Sequence, residues 1–268
     1  MINNIASLYQ PTARQLFAHE NKKPFTLFGG AMGGGKSVWL CQEAWRLASL
    51  YPGNRILMAR YTLKDFKDTT LVTLLRDIPS ESIESHNLAN HEIRFKNGSM
   101  IKYTGLSDED GISTLKSFEC GAILWDEANE IAYDNFMLAR TRLRWQIRTD
   151  NGELWRPPYF FLLTSNPEDC WLKDQFVNGK GGEDFIFIPS LPRDNDKLPE
   201  NYFSHFKDMP DEWKNRYWNG SWDDLSEGNF IIPIEFITDA INKELPLNKS
   251  YCMGIDVAKG VGGDEFLS

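Results

Sequence analysis

The 268 residues carry 41% hydrophobic and 25% charged side chains, the composition of a water-soluble globular protein able to bury one large core or two small ones. A net charge of −9 excludes a uniformly basic nucleic-acid surface, so any contact with DNA phosphates must come from a local basic face. The sequence holds no run of about 18 apolar residues and no basic-plus-apolar leader, and its four cysteines, Cys41, Cys120, Cys170 and Cys252, stand singly; membrane span, zinc site and disulfide framework are all unexpected, and a reducing cytoplasm fits.

The first apolar run, Phe25-Thr26-Leu27-Phe28, reads as a strand that delivers the chain into Gly30-Ala31-Met32-Gly33-Gly34-Gly35-Lys36-Ser37. This Gly-x-x-x-x-Gly-Lys-Ser spacing is that of a phosphate-binding loop. Gly30, Gly33, Gly34 and Gly35 let successive backbone N–H groups turn inward around phosphate oxygens, and the helix expected over Val38 to Ala48 adds its positive end. Lys36 is then placed for the β- and γ-phosphates and Ser37 for Mg²⁺, which makes ATP the expected ligand.

Beyond Pro52-Gly53, Arg55 to Arg60 reads as a strand and Leu63 to Ile78 as a mostly helical return. Glu92 to Lys96 and Ser99 to Tyr103 flank Asn97-Gly98, a strong hairpin signal, and predict an antiparallel insertion into the sheet. Asp108 to Ser117 is polar and contains a glycine, which reads as a loop. The apolar strand Gly121 to Trp125 ends in two carboxylates, and at the carboxyl end of a parallel strand Asp126 can hold Mg²⁺ while Glu127 polarises the attacking water.

The arginine-rich stretch Arg140 to Arg148 is expected on a helix after those acids, with Arg142 and Arg144 available for DNA phosphates or as a finger toward a neighbouring subunit. A third strand, Tyr159 to Leu163, runs into Thr164-Ser165-Asn166-Pro167, whose polar side chains can register the γ-phosphate and couple hydrolysis to movement. Farther on the pattern loosens, with a turn at Gly179 to Gly182 and proline-containing charged text from Pro189 to Pro210. The fold class expected from this alternation is α/β: a P-loop NTPase with a mostly parallel central sheet flanked by helices, plus a small linker or lid.

These landmarks, in this order, resemble the ATPase part of a tailed-phage terminase large subunit. Pro11 with Gln15 is similar to the family's adenine-contacting glutamine region, and Arg60-Tyr61-Thr62 resembles the end of its second strand. Trp171-Leu172, Asp194-Asn195 with Leu198, Tyr217 to Trp222 and Gly228-Asn229-Phe230 resemble the text that links the family's two enzymes. The resemblance implies residues 1–168 as ATPase core, 169–249 as linker or lid, and 250–268 as the first strand of an RNase H-like nuclease, with Asp256 at its first metal-binding carboxylate. That nuclease needs further strands and acids beyond Ser268, so no nuclease activity is expected from these residues. The resemblance further implies packaging of double-stranded DNA in the host bacterium's cytoplasm, a portal protein and a small terminase subunit as partners, and a ring of identical subunits that is a monomer in isolation. Where family members often carry a basic residue inside the phosphate loop, this chain has Ala31 and Met32, and Arg60 is the substitute offered.

Two other readings share the motifs. A helicase or recombination-type ATPase acting on single strands has the loop, an acid pair and a polar third motif but usually a second motor domain. A non-motor nucleotide-binding module leaves Glu127 and the arginines without a role.

Overall fold

The computed structural model describes residues 9–149 and 151–223. In chain order these form α1 (Ala13–Glu20), β1 (Phe25–Gly30), α2 (Lys36–Leu50), β2 (Arg55–Arg60), α3 (Leu63–Asp65), a π-helical turn (Phe66–Thr70), α4 (Leu71–Asp77), β3 (Ile83–Asn87), β4 (Glu92–Phe95) and β5 (Met100–Gly105). There follow α5 (Glu109–Ser117), β6 (Ala122–Trp125), α6 (Tyr133–Arg140), β7 (Ile147–Arg148), β8 (Leu154–Trp155), β9 (Phe160–Ser165), β10 (Phe185–Ser190) and α7 (Asp211–Tyr217).

Strand alternation builds a core on each side of the sheet. In β6, Ala122 and Leu124 join one apolar cluster while Ile123 and Trp125 join the other. The same division separates Phe28 from Leu27, Ile56 and Met58 from Leu57 and Ala59, and Phe160 and Leu162 from Phe161 and Leu163. Helices α2 and α4 close the first cluster with Trp39, Leu40, Leu47 and Leu74, and α5 and α6 close the second with Leu115, Phe136 and Ala139. Strands apolar on both faces require cover on both faces, which is the parallel α/β arrangement the sequence predicts.

The sheet has eight strands in the order β10-β1-β9-β6-β2-β5-β4-β3. Every pair from β10 to β5 is parallel, and β4 and β3 extend the far edge antiparallel. The expected hairpin is β4 and β5, turning at Gly98 with φ of 80°. Parallel alignment brings the carboxyl ends of β1, β9, β6 and β2 to one edge, so Gly30, Ser165, Trp125 and Arg60 all lead toward the same region.

Three expectations change. Glu109–Ser117 is helical, because Asp108 accepts from the Gly111 N–H as N-cap, Glu109 and Asp110 suit the helix N-terminus, and Leu115 is buried. The helix expected over Arg140 to Arg148 instead ends at Arg140, and Ile147–Arg148 pairs with Leu154–Trp155 as a short ribbon. The stretch expected as linker or lid also contributes to the main sheet, because β10 lies within it and pairs with β1 from Phe25↔Phe185 to Gly30↔Ser190. Asp256 and the rest of 250–268 lie outside the described residues.

Candidate active site

The loop between β1 and α2 is shaped by side chains from three other segments. Asn195 Nδ2 donates to the Gly33 carbonyl at 2.6 Å, Ser190 Oγ to the Gly34 carbonyl at 2.8 Å, and Gln15 Nε2 to the Gly35 carbonyl at 2.9 Å. In a trans peptide the carbonyl and the next N–H point opposite ways. Holding these three carbonyls outward therefore turns the N–H groups of Gly34, Gly35 and Lys36 toward the loop interior, a donor arrangement suited to an anion. Gly34 has no room for a side chain, since a Cβ there meets Ser190 Oγ at 2.1 Å, and Gly35 enters α2 with φ of 79°.

Gln15 is itself fixed by a capping box at the start of α1, where its Oε1 accepts from the Thr12 N–H. It borders a cleft of about 470 Å³ that opens beside Gly35 and is also lined by Tyr9, Val38 and Asp77.

Lys36 is buried, and its Nζ donates to the Ala31 carbonyl at 2.7 Å and to Asn166 Oδ1 at 2.9 Å. Burial pushes its pKa below the ordinary lysine value, while Glu127 and Asp126 oppose that shift. Asn166 faces both ways. Its Nδ2 donates to the Glu127 carboxylate at 3.2 and 3.3 Å, so one amide links the phosphate-loop cation to the second acid of β6.

Asp126 is 3% exposed and accepts three hydroxyls: Ser37 at 3.0 Å and Thr164 at 2.5 Å on Oδ1, and Thr70 at 2.6 Å on Oδ2. Glu127 has φ of 49° and ψ of 54°, a left-handed conformation that side-chain-bearing residues adopt at a cost. Burial raises its pKa above the usual carboxylate value, Asp126 adds to the rise, and Lys36 and Arg60 counter it. Arg60, at the end of β2, donates from Nη1 to Thr69 Oγ1 at 2.8 Å and sets Nε 4.0 Å from Glu130.

The site thus assembles Lys36, Ser37, Asp126, Glu127, Thr164, Asn166 and Arg60 at one edge. Ser165 is one step removed: its hydroxyl donates to Asn129 Oδ1 at 3.0 Å, and Asn129 donates to Glu168 at 2.5 Å. Arg142 and Arg144 are elsewhere. Both are bonded by backbone to Cys120, which precedes β6, whereas the acids follow it; Arg142 Nη1 donates to the Lys116 carbonyl and Arg144 pairs with Glu119. Sequence reading missed Thr70 and Ser190, which no motif marks, and Asn195 carried only a family likeness.

A family model described as phage terminase large subunit matches residues 22–219. The chain belongs to that family. Among solved structures, the large terminase of a thermophilic bacteriophage superposes with a TM-score of 0.66 at 16% identity, covering 80% of this chain and 54% of that one. The ATPase domain of the Thermus phage P74-26 large terminase gives 0.59 at 17% identity, covering 80% and 94%. The first of these terminases, in complex with ADP, gives 0.64 at 15% identity, covering 79% and 53%. At these identities the likeness is one of fold, and the chain spans about half the length of that full large terminase. No curated protein matches it. Among the described residues no helix is long and apolar enough to cross a membrane.

Proposed function

We propose that residues 9–223 form the ATP-hydrolysing motor of a terminase large subunit that drives double-stranded DNA into a procapsid. The observation that carries this reading is the convergence of Lys36 and Glu127 on Asn166, and of Ser37 and Thr164 on the Asp126 carboxylate. The cleft beside Gln15 is the place for the adenine ring, and the inward N–H groups of Gly34, Gly35 and Lys36, with the Lys36 ammonium, hold the β- and γ-phosphates.

Mg²⁺ suits the donor set. Ser37 Oγ and Asp126 Oδ1 are hard oxygen donors 3.0 Å apart, and among the described residues no cluster of three acids, histidines or cysteines competes as an all-protein cage. A hydroxyl and a carboxylate, completed by phosphate oxygens and water, are what Mg²⁺ takes in such sites. When bound, the ion neutralises charge on the β- and γ-phosphates. Glu127 orients the attacking water and accepts its proton, and its raised pKa makes it a better base than an exposed glutamate. Arg60, within Coulombic reach of Glu127, takes the part of the arginine absent from Ala31-Met32.

Two contacts support coupling to the region after β10. Arg216 Nε donates to the Pro167 carbonyl at 2.7 Å, and the Met32 N–H donates to the Tyr217 carbonyl at 3.0 Å. Both the residue after Asn166 and the phosphate loop thereby touch α7 or its end, a route by which loss of γ-phosphate moves a lid. With β10 in the sheet, that lid begins after Ser190. The same reading extends to a ring of subunits, portal and small-subunit partners and action in the host cytoplasm, for which family membership is the support; Asp256 belongs to its nuclease part.

Asn166→Ala removes the bridge between Lys36 and Glu127. We expect kcat to fall tenfold to a hundredfold, about what one misplaced catalytic group costs, with ADP affinity unchanged because Asn166 faces the γ-phosphate side. An unchanged kcat, or an equal loss of ADP affinity, contradicts this role. The functional reading as a whole is tested by phosphate release with linear duplex or single-stranded DNA at low salt. Stimulation mainly by duplex supports a packaging motor, and stimulation mainly by single strands supports the helicase-type reading instead.

A further inference from the structure

The connection from β2 to α4 contains a feature that the hydrolysis scheme leaves unused. Residues Phe66–Thr70 form a π-helical turn, closed by the Leu71 N–H donating to the Phe66 carbonyl. Such turns are rare and recur at functional sites. Threonines in helices ordinarily bond back to a carbonyl in the preceding turn. Thr69 does so, to Asp65, and Thr73 does so, to Thr69. Thr70, between them and fully buried, instead sends its hydroxyl 2.6 Å to Asp126 Oδ2.

The Asp126 carboxylate is shared unevenly. Ser37 and Thr164 both donate to Oδ1, and among the described residues Thr70 is the one side chain donating to Oδ2. A carboxylate held on one oxygen alone can still rotate about its Cβ–Cγ bond, and a donor on each oxygen stops that rotation. The Thr70 backbone is anchored as well, because the Cys41 thiol donates to its carbonyl at 3.5 Å. Cys41 lies one turn beyond Ser37 on α2, so the turn is pinned to the helix that carries the other metal-site hydroxyl.

We propose that Thr70 is a positioning residue for the metal site: its hydroxyl locks the plane of the Asp126 carboxylate so that Oδ1 stays directed at Ser37 and the divalent cation. The inference rests on the functional reading above and deepens it by assigning metal affinity to a residue outside the recognised motifs. Thr70→Val keeps shape and removes the donor; Thr70→Ser keeps the donor and loses only a methyl.

The test is Mn²⁺ binding by electron paramagnetic resonance in the presence of a slowly hydrolysed ATP analogue, beside the Mg²⁺ dependence of phosphate release. We expect Mn²⁺ affinity to fall about tenfold in Thr70→Val, the scale of a lost hydrogen bond to a charged group, and to stay within about twofold in Thr70→Ser. The Mg²⁺ concentration for half-maximal rate should rise in step, with kcat recovering at saturating Mg²⁺, and metal-free nucleotide affinity should hold. If Thr70→Val does not fold, Thr70→Ala takes its place, with the same expectation. Wild-type Mn²⁺ affinity in the valine or alanine variant, or equal loss in the serine variant, overturns the inference alone. A wild-type chain that binds nucleotide without Mn²⁺ overturns the metal assignment beneath it.

Discussion

Glu127→Gln holds ATP with near wild-type affinity and turns it over about 10²- to 10⁴-fold more slowly, the range that a general base contributes. The substitution is nearly isosteric, and the glutamine carbonyl can still accept from Asn166 Nδ2, so the link to Lys36 survives while the proton acceptor is lost. Burial and Asp126 raise the Glu127 pKa, so the active, ionised form is lost as pH falls through a value above the ordinary glutamate range near 4.3. The wild-type rate therefore has an acid limb above that range, and the variant has none.

The same shift has a consequence for stability. A carboxyl whose folded pKa exceeds its unfolded one binds its proton more tightly in the folded state, so stability falls as pH rises through that window. Neutral glutamine removes that term. The variant's unfolding midpoint at neutral pH should equal or exceed that of the wild type, which distinguishes a catalytic loss from a folding defect. A variant with a wild-type rate removes Glu127 from the mechanism.

Lys36→Ala loses both binding and turnover. Its ammonium is enclosed by the Ala31 carbonyl and Asn166, and no other cation is bonded to those two groups among the described residues. Burial lowers the Lys36 pKa, and the adjacent Glu127 and Asp126 carboxylates oppose that shift. Removing the ammonium forfeits a charge-assisted contact to the β- and γ-phosphates and strands the Ala31 carbonyl, and an affinity loss of at least tenfold follows. Titration with a fluorescent ATP analogue measures this directly. Wild-type affinity in the variant means that phosphate is held by the loop N–H groups alone.

The site was legible where a motif coincided with the end of a strand. Lys36 and Ser37, Asp126 and Glu127, and Asn166 each follow an apolar run, and a parallel sheet sends all such runs to one edge. Partners delivered by ordinary text were not legible. Thr70 is a threonine within a helical stretch that shares its π-helical turn with Thr69, and only the bond to Asp126 distinguishes it from Thr69 and Thr73, which bond back to carbonyls. β10 was hidden by Pro189, which reads as a loop signal, but β10 is an edge strand and edges tolerate a residue without an N–H. In α5, Gly111 also read as a loop. A Cβ there would stand 1.7 Å from the Gly105 carbonyl oxygen, so the glycine serves close packing of the helix against β5 and not a turn. Spacing alone left the arginines undecided. Arg60 stands beside Glu130 and Glu127, and Arg142 and Arg144 stand at the opposite end of β6.

The central claim is that this chain cleaves ATP at the Lys36, Ser37, Asp126 and Glu127 cluster, and a single-turnover experiment tests it without requiring a ring or DNA. With protein in excess over γ-labelled ATP, the wild type should release phosphate only after Mg²⁺ is added, and Glu127→Gln should keep its bound ATP intact over the same period. Intact ATP on the wild type with Mg²⁺ present, or equal release by the variant, contradicts the account.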